Sequence, residues 1–209
     1  KKAERLGVDI RMNTKVTPEM IEEIKPHTVM NAIGAESIIP PIPGVDKAFV
    51  KDSHDVLDGK AEATGNVVVI GGGMVGMETA EYLAEKGAKV SVLEMLPDIC
   101  SDMGTTRKIC MGEEIQKSGI IPVTSIKVTE IGDNVVIGEK DGEKVEFPCD
   151  TAVLAIGAKK RDGSALAETC YKNGIGYFEI GDAAMARRAI NATREAMDAA
   201  LTFDREDVH

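Results

Sequence analysis

Between Val67 and Glu94 the chain reads VVVIGGGMVGMETAEYLAEKGAKVSVLE. An apolar β-type run, Val67–Ile70, meets glycines at 71, 73 and 76, a G-x-G-x-x-G spacing. An amphipathic helical pattern follows, then a second β-type run, Lys89–Leu93. That order predicts a strand–turn–helix–strand unit of a doubly wound parallel sheet. Gly71 permits the sharp turn out of the strand, Gly73 lets a pyrophosphate approach the backbone, and Gly76 lets the helix pack close to the strand. The helix start adds unpaired N–H groups and the positive end of its dipole. Glu94 stands 23 positions after Gly71, at the tip of the second strand, where a carboxylate accepts the hydroxyls of an adenosine ribose. A glycine-rich turn alone is weak evidence, because such turns also serve tight packing. Here strand, helix and acid all stand in place, and the motif reads as a dinucleotide site. Glu94 would repel a 2′-phosphate, and Met95, Leu96, Pro97 and Asp98 bring no cation. NAD(H) is therefore expected over NADP(H).

A length of 209 residues allows one large or two small domains, and 43% hydrophobic with 29% charged residues is ordinary for a globular protein. The net charge of −10 argues against nucleic acid and anionic membrane surfaces as partners. No apolar run approaches the roughly 20 residues of a membrane span, and no signal peptide opens the chain. Cys100, Cys110, Cys149 and Cys170 show no C-x-x-C spacing, so no metal or cluster site within this chain is expected. They read as reduced, mostly buried thiols of a cytoplasmic protein. The opening KKAERLG, without an initiator Met, reads as the tail of a helix already under way, and a piece of a longer chain is expected.

Along the chain, Lys1–Leu6 reads as helix ended by Gly7, and Val8–Met12 as a short strand. Thr17-Pro18-Glu19 starts a helix to about Lys25. Thr28–Ile33 is a strand ending at Gly34. Pro40, Pro41 and Pro43 hold the next stretch extended, as a stiff strap between domains, before a polar connection over 46–65. The helix after Gly73 buries Met77, Ala80, Leu83 and Ala84 and shows Glu81, Glu85 and Lys86. After an irregular loop, Thr105 caps a second helix ending near Lys117. Ile120–Ile131 is a strand interrupted by Pro122, Asp141-Gly142 turns a β-hairpin, and Asp150–Ile156 is a buried strand ending at Gly157. Ala158–Gly176 reads mostly as loop. Tyr177–Ile180 is a strand stopping at Gly181-Asp182, and a helix runs from about Ala183 to Thr202 with Ile190, Met197 and Leu201 on its apolar side. On spacing alone Asp182 reads as a helix cap or as an acceptor for a sugar hydroxyl.

Two similar strands, NAIGA at 31–35 and LAIGA at 154–158, bracket the glycine-rich unit, and YFEIGDA at 177–183 closes the set. With the proline strap IIPPIPGVD, the chain resembles the pyridine-nucleotide-disulfide-oxidoreductase-like flavoproteins. Among them it looks most like the C-terminal module of the 2,4-dienoyl-CoA reductase, enoate reductase and trimethylamine dehydrogenase group. The resemblance covers essentially the whole chain. It implies an α/β, Rossmann-like two-dinucleotide-binding fold, with an NAD domain bearing a β-hairpin flap inserted in an incomplete FAD domain. The expected parts are 1–60 and 158–209 as FAD-domain remnants and 61–157 as the NAD(H) domain. By resemblance, Gly71, Gly72, Gly73, Met74, Val75 and Gly76 are the pyrophosphate loop and Glu94 the ribose acid. Ile156 and Gly157 line the NAD cleft, Gly34 ends the matching first IGA strand, and Gly181 with Asp182 serves FAD. Glu78 matches an acid near the nicotinamide side and reads equally well as a solvated helix charge.

The resemblance implies a fragment of an NADH-dependent flavin oxidoreductase in which NADH gives hydride to FAD. In the intact protein, electrons would pass on through a 4Fe-4S cluster and FMN to an activated C=C bond of enoate or dienoyl-CoA type. The FMN and the cluster are expected only on an upstream part, the missing N-terminal part of the same chain. No side chain here need act as acid or base, so no catalytic residue is named, and no metal ligand either. The rivals are an NADH oxidase, ferredoxin reductase or disulfide reductase of the same superfamily, and a non-catalytic NAD-binding redox-sensing module. A single G-x-G-x-x-G leaves the FAD domain without its own, so weak or absent flavin is expected. Exposed sheet edges are then expected, which a homo-oligomer would cover.

Overall fold

The computed structural model describes residues 2–101 and 104–206. In chain order the first elements are α1 (Lys2–Arg5), α2 (Pro18–Ile24), β1 (Thr28–Asn31) and β2 (Ala35–Ser37). Pro18 opens α2, and Lys25 ends it in the left-handed region at φ 50°. The strand expected over Val8–Met12 does not form: Val8, Ile10 and Met12 are 53%, 49% and 77% exposed. β-branched residues favour a strand only where a partner satisfies the backbone, and no ladder reaches this stretch.

The stretch 46–65 is not a plain connection. It holds β3 (Val50–Asp52) and α3 (Ser53–Leu57), because the Asp52 carboxylate caps the helix, accepting the N–H of His54 at 2.8 Å. Next come β4 (Asn66–Ile70), α4 (Met74–Glu85), β5 (Lys89–Leu93), α5 (Thr105–Ser118), β6 (Ile121–Val123), β7 (Lys127–Ile131), β8 (Val135–Lys140), β9 (Glu143–Pro148) and β10 (Thr151–Leu154). α5 is capped by Gly104 and not Thr105, which is its first residue. Glu81, expected on the solvent side of α4, is half-buried. The last elements are β11 (Ala158–Lys160), α6 (Ser164–Lys172), β12 (Gly176–Glu179), a 3-10 turn (Gly181–Ala183) and α7 (Ala189–Glu206).

Two of these correct the sequence reading. The region 158–176 is not mostly loop, since it holds β11 and α6. Asp162 Oδ1 takes the N–H of Ser164 at 2.9 Å and starts α6, which buries Thr169 and Cys170. Conversely, α7 begins at Ala189, and not at Ala183. Helix-favouring Ala and Arg at 184–188 are held out of helix because Asp182 Oδ1 accepts the N–H of Arg187 at 3.2 Å and the Arg187 guanidinium pairs with Glu195.

The chain forms two compact units. Ser37–Ala158 is one; Lys1–Glu36 with Lys159–His209, in its described parts, is the other. In the first, a parallel five-stranded sheet has the order β3-β10-β4-β5-β6. Both faces are covered, which is why β4 is apolar from Val67 to Ile70. Val67 and Val69 face Met77, Ala80 and Leu83 of α4, while Val68 and Ile70 face Ile126, Ile131 and Val136. Pro122, which cannot donate to a ladder, sits in the edge strand β6. The flap has three antiparallel strands, β7-β8-β9, one more than a hairpin. Asp141 at φ 54° and Gly142 at φ 81° make the tight turn that the dipeptide favours. The proline strap is bonded to this unit and not slung free between domains: Ile38 N–H donates to the Gly157 carbonyl at 3.0 Å, and Ile131 N–H to the Pro43 carbonyl at 2.8 Å. This is the Rossmann-type arrangement expected from the sequence.

In the other unit β1 pairs with β12 in a parallel ladder, and Ile21, Cys170 and Ile175 form a small core. Ile190, Met197 and Leu201 of α7 are 61%, 62% and 54% exposed. β2 and β11, which carry the two crossings of the chain, pair with each other.

Candidate dinucleotide site

All five strands of the Ser37–Ala158 sheet run the same way, so their carboxyl ends share one edge. The three motif glycines differ in what requires them. At Gly71, φ is 110°, and an added Cβ would meet the Ala155 carbonyl carbon at 2.8 Å and Ile156 N at 3.3 Å. At Gly76 a Cβ would overlap the Gly71 carbonyl oxygen. The protein itself therefore demands these two. Gly73 is different: a Cβ there meets nothing within 4 Å. Among the described residues, packing does not require a glycine at 73. Gly73 is also the N-cap of α4 with no capping side chain, so the first-turn amides of Met74, Val75 and Gly76 face outward without an intrahelical acceptor.

Glu94 lies just past the end of β5. Its Oε2 accepts the N–H of Gly72 at 2.6 Å, and its Oε1 accepts the N–H of Leu96 at 2.8 Å. Sequence reasoning put Glu94 beside the loop but missed this double anchor. The reach of an acid across 22 residues to a glycine amide carries no sequence signal. Nor did the sequence show that the next loop folds back: Cys100 N–H donates to the Gly72 carbonyl at 2.8 Å, and Ile99 Cγ2 would stand 3.0 Å from a Cβ at Gly72. Ile156 and Gly157 follow β10, next to Gly71. Glu78 is exposed, one turn into α4. The unit thus brings Gly71, Gly72, Gly73, Met74, Val75, Gly76, Glu94, Ile156 and Gly157 to one edge. Such an edge can hold a pyrophosphate on amides and a ribose on a carboxylate.

The remaining candidates lie in the other unit. Gly34 follows β1, its carbonyl accepting the N–H of Arg161 at 3.1 Å. Gly181 and Asp182 line a cavity of about 360 Å³ with Ala32, Ile180, Arg187 and Ala192. Glu195 of α7 accepts the Gly181 N–H at 2.8 Å and pairs with Arg187. Neither Arg187 nor Glu195 was singled out from sequence, since one stands in a loop and the other in a helix, eight positions apart. Nearby, buried Asn31 donates to the Tyr177 hydroxyl at 2.8 Å. Burial pushes the Tyr177 phenol up, and the Asn31 hydrogen bond works against that rise.

Cys100, Cys149 and Cys170 are buried and outside any disulfide, while the side chain of Cys110 lies outside the described residues. Among the described residues no cluster of His, Cys, Asp and Glu is placed to hold a metal ion, and no helix is long and apolar enough to cross a membrane. Burial, with the Asp150 charge beside it, pushes the Cys149 thiol up to about 11, the Val136 backbone opposing. An unfolded thiol ionises near its ordinary value, so the folded form binds the extra proton above that value. Stability is expected to fall as pH rises toward 11, and Cys149→Ala should flatten that fall in denaturant titrations.

A family model described as pyridine nucleotide-disulphide oxidoreductase matches residues 2–181. The chain is 43% identical over 154 residues to a bilirubin reductase of Mediterraneibacter gnavus, covering 74% of this chain and 24% of that protein. It is 39% identical over 201 residues to an NADH oxidase of Thermoanaerobacter brockii, covering 94% and 31%. The structure of a 2-naphthoyl-CoA reductase superposes with a TM-score of 0.85 at 29% identity, covering 93% of this chain and 29% of that one. The chain thus spans 24% to 31% of these relatives' length.

Proposed function

The chain belongs to the pyridine nucleotide-disulphide oxidoreductase family, within its enoate reductase and dienoyl-CoA reductase group, and we propose that Ser37–Ala158 is an NADH-binding unit serving a flavin. Members of the family bind FAD and NAD(P)H, so the chain is part of an oxidoreductase. The observation that carries the choice of NADH is Glu94, fixed by the Gly72 and Leu96 amides with no cation beside it in sequence. A carboxylate so held accepts ribose hydroxyls and repels a 2′-phosphate. Gly73 and the first-turn amides of α4 would take the pyrophosphate. Ile156 and Gly157 would border the nicotinamide half, and Gly181 and Asp182 would meet FAD. When bound, nicotinamide supplies a hydride and flavin accepts it, and this chain's residues place the two.

The parts read from the sequence, 1–60 and 158–209 around an NAD(H) domain at 61–157, stand as the proposed organisation. With a two-stranded β1–β12 ladder in the flavin-serving unit, weak flavin retention by this chain alone is part of the proposal. So is onward transfer, in the longer protein, through an iron–sulfur cluster and FMN to an activated C=C bond. The NADH oxidase relative, which covers 94% of the chain, favours a second reading with dioxygen as final acceptor.

Titration of the chain with NADH and NADPH tests the reading. NADH should bind more tightly, and Glu94→Ala should weaken NADH by about tenfold or more, the loss of a charge-assisted hydrogen bond. The gap to NADPH should narrow at the same time. Equal affinity of the unaltered chain for both would overturn the assignment.

A further inference from the structure

The same sheet edge carries a polar cluster that the glycine motif does not explain. The last residues of the strands stand in register: Leu93 beside Ile70, Ile70 beside Leu154, Leu154 beside Asp52. A dinucleotide with its ribose at Glu94 and its pyrophosphate at α4 continues over β10 toward β3, which lies roughly 10 Å beyond β4 at ordinary strand spacing. At that end Asp52 closes β3 and caps α3. His54 Nδ1 lies 3.1 Å from Ser37 Oγ and 3.4 Å from Asp52 Oδ1. Ser37 is held there by its neighbour Ile38, whose N–H donates to the Gly157 carbonyl at the end of β10. The His54 side chain is 54% exposed and that of Asp52 is 27% exposed. Both contacts fall on one ring nitrogen. A nucleophile relay would put the hydroxyl and the carboxylate on opposite nitrogens, so this is an arrangement for recognition and not for activating Ser37. His54 Nε2 has no hydrogen bond among the described residues.

We propose that His54, oriented by Ser37 and Asp52, binds the carboxamide of the nicotinamide ring. A carboxamide presents an N–H donor pair and a carbonyl acceptor, and an imidazole can meet either through its second nitrogen. A hydrogen bond at that end fixes the rotation of the ring, and with it which face is offered for hydride transfer. The inference rests on reading Gly71–Glu94 as a dinucleotide site.

The test compares NADH with ADP-ribose, which has every part of the dinucleotide except the nicotinamide ring. In His54→Ala the Kd for NADH should rise about tenfold, the loss of one or two hydrogen bonds, with ADP-ribose binding unchanged. Ser37→Ala should show a smaller loss for NADH alone, and His54→Gln should recover part of the affinity. Equal loss of both ligands would mean a displaced edge and not a carboxamide contact, and unchanged NADH binding would mean no contact at all. Either result overturns the proposal. Should the unaltered chain bind neither ligand, the dinucleotide reading itself fails and takes this one with it. An unaltered chain that binds both ligands, with a His54→Ala variant that binds NADH just as tightly, would fail this proposal alone and leave the dinucleotide reading standing.

Discussion

Gly76→Ala should cost about 3 kcal/mol or more of stability, while Gly73→Asp should leave stability unchanged and lower NADH affinity by about a hundredfold. The first expectation is steric. A Cβ at Gly76 overlaps the Gly71 carbonyl oxygen and stands 3.0 Å from its carbon. Those atoms are backbone, so no side chain can swing aside, and α4 must lift from the turn that ends β4. Met77, Ala80 and Leu83 would lift with it from the sheet. The second expectation is electrostatic. Position 73 has open space for a Cβ and ordinary backbone angles, φ −73° and ψ −176°, and aspartate is a favoured N-cap. The fold therefore loses nothing, while a carboxylate is set where the pyrophosphate must approach. Denaturant unfolding of both variants, paired with NADH titration, reads the two effects separately. If Gly73→Asp binds NADH normally, the phosphate assignment of the loop is wrong. If Gly76→Ala keeps full stability, the close helix–strand contact is not what holds the turn.

That division explains what the sequence could tell. The strand–turn–helix around Gly71 was legible because its glycines fall at a fixed spacing between an apolar run and an amphipathic pattern, and because Val67–Ile70 of β4 are buried on both faces. The hairpin at Asp141-Gly142 was legible too: the dipeptide suits its two positive φ values. Elements decided at a distance were not legible. The helix start at Ala189 depends on Asp182 and Glu195 capturing Arg187, which outweighs the helical preference of 184–188. The missing strand at Val8–Met12 depends on the lack of a neighbour. α3 could have been found, since Asp52-Ser53 before a short apolar pattern is a helix start signal. In the candidate site, the residue types were readable from spacing, but the amides that anchor Glu94 and the His54–Ser37 pair were not. The parallel pairing of β4 with β5 brings Glu94 to the Gly72 amide, and the strap after Ser37 brings its hydroxyl to His54.

Two methionines of one chain offer a sharp contrast in stability. Met77 on α4 is fully buried between the helix and β4, so Met77→Ala removes three heavy atoms from a closed core. A loss of about 3 kcal/mol is expected, in the range for methionine truncations that leave a cavity. Met197 on α7 is 62% exposed, with Ile190 and Leu201 on the same side at 61% and 54%. Met197→Ala is expected within about 0.5 kcal/mol of the parent, as for surface positions. Denaturant curves at two protein concentrations check both. The Met77 effect should not depend on concentration, because its contacts lie within Ser37–Ala158. A large, concentration-dependent loss for Met197→Ala would instead mean that a second copy of the chain covers the α7 stripe in solution, since only association makes stability follow concentration. The exposed side chains would then be an interface, and the apolar spacing of α7 would owe its pattern to a partner and not to the core of its own unit.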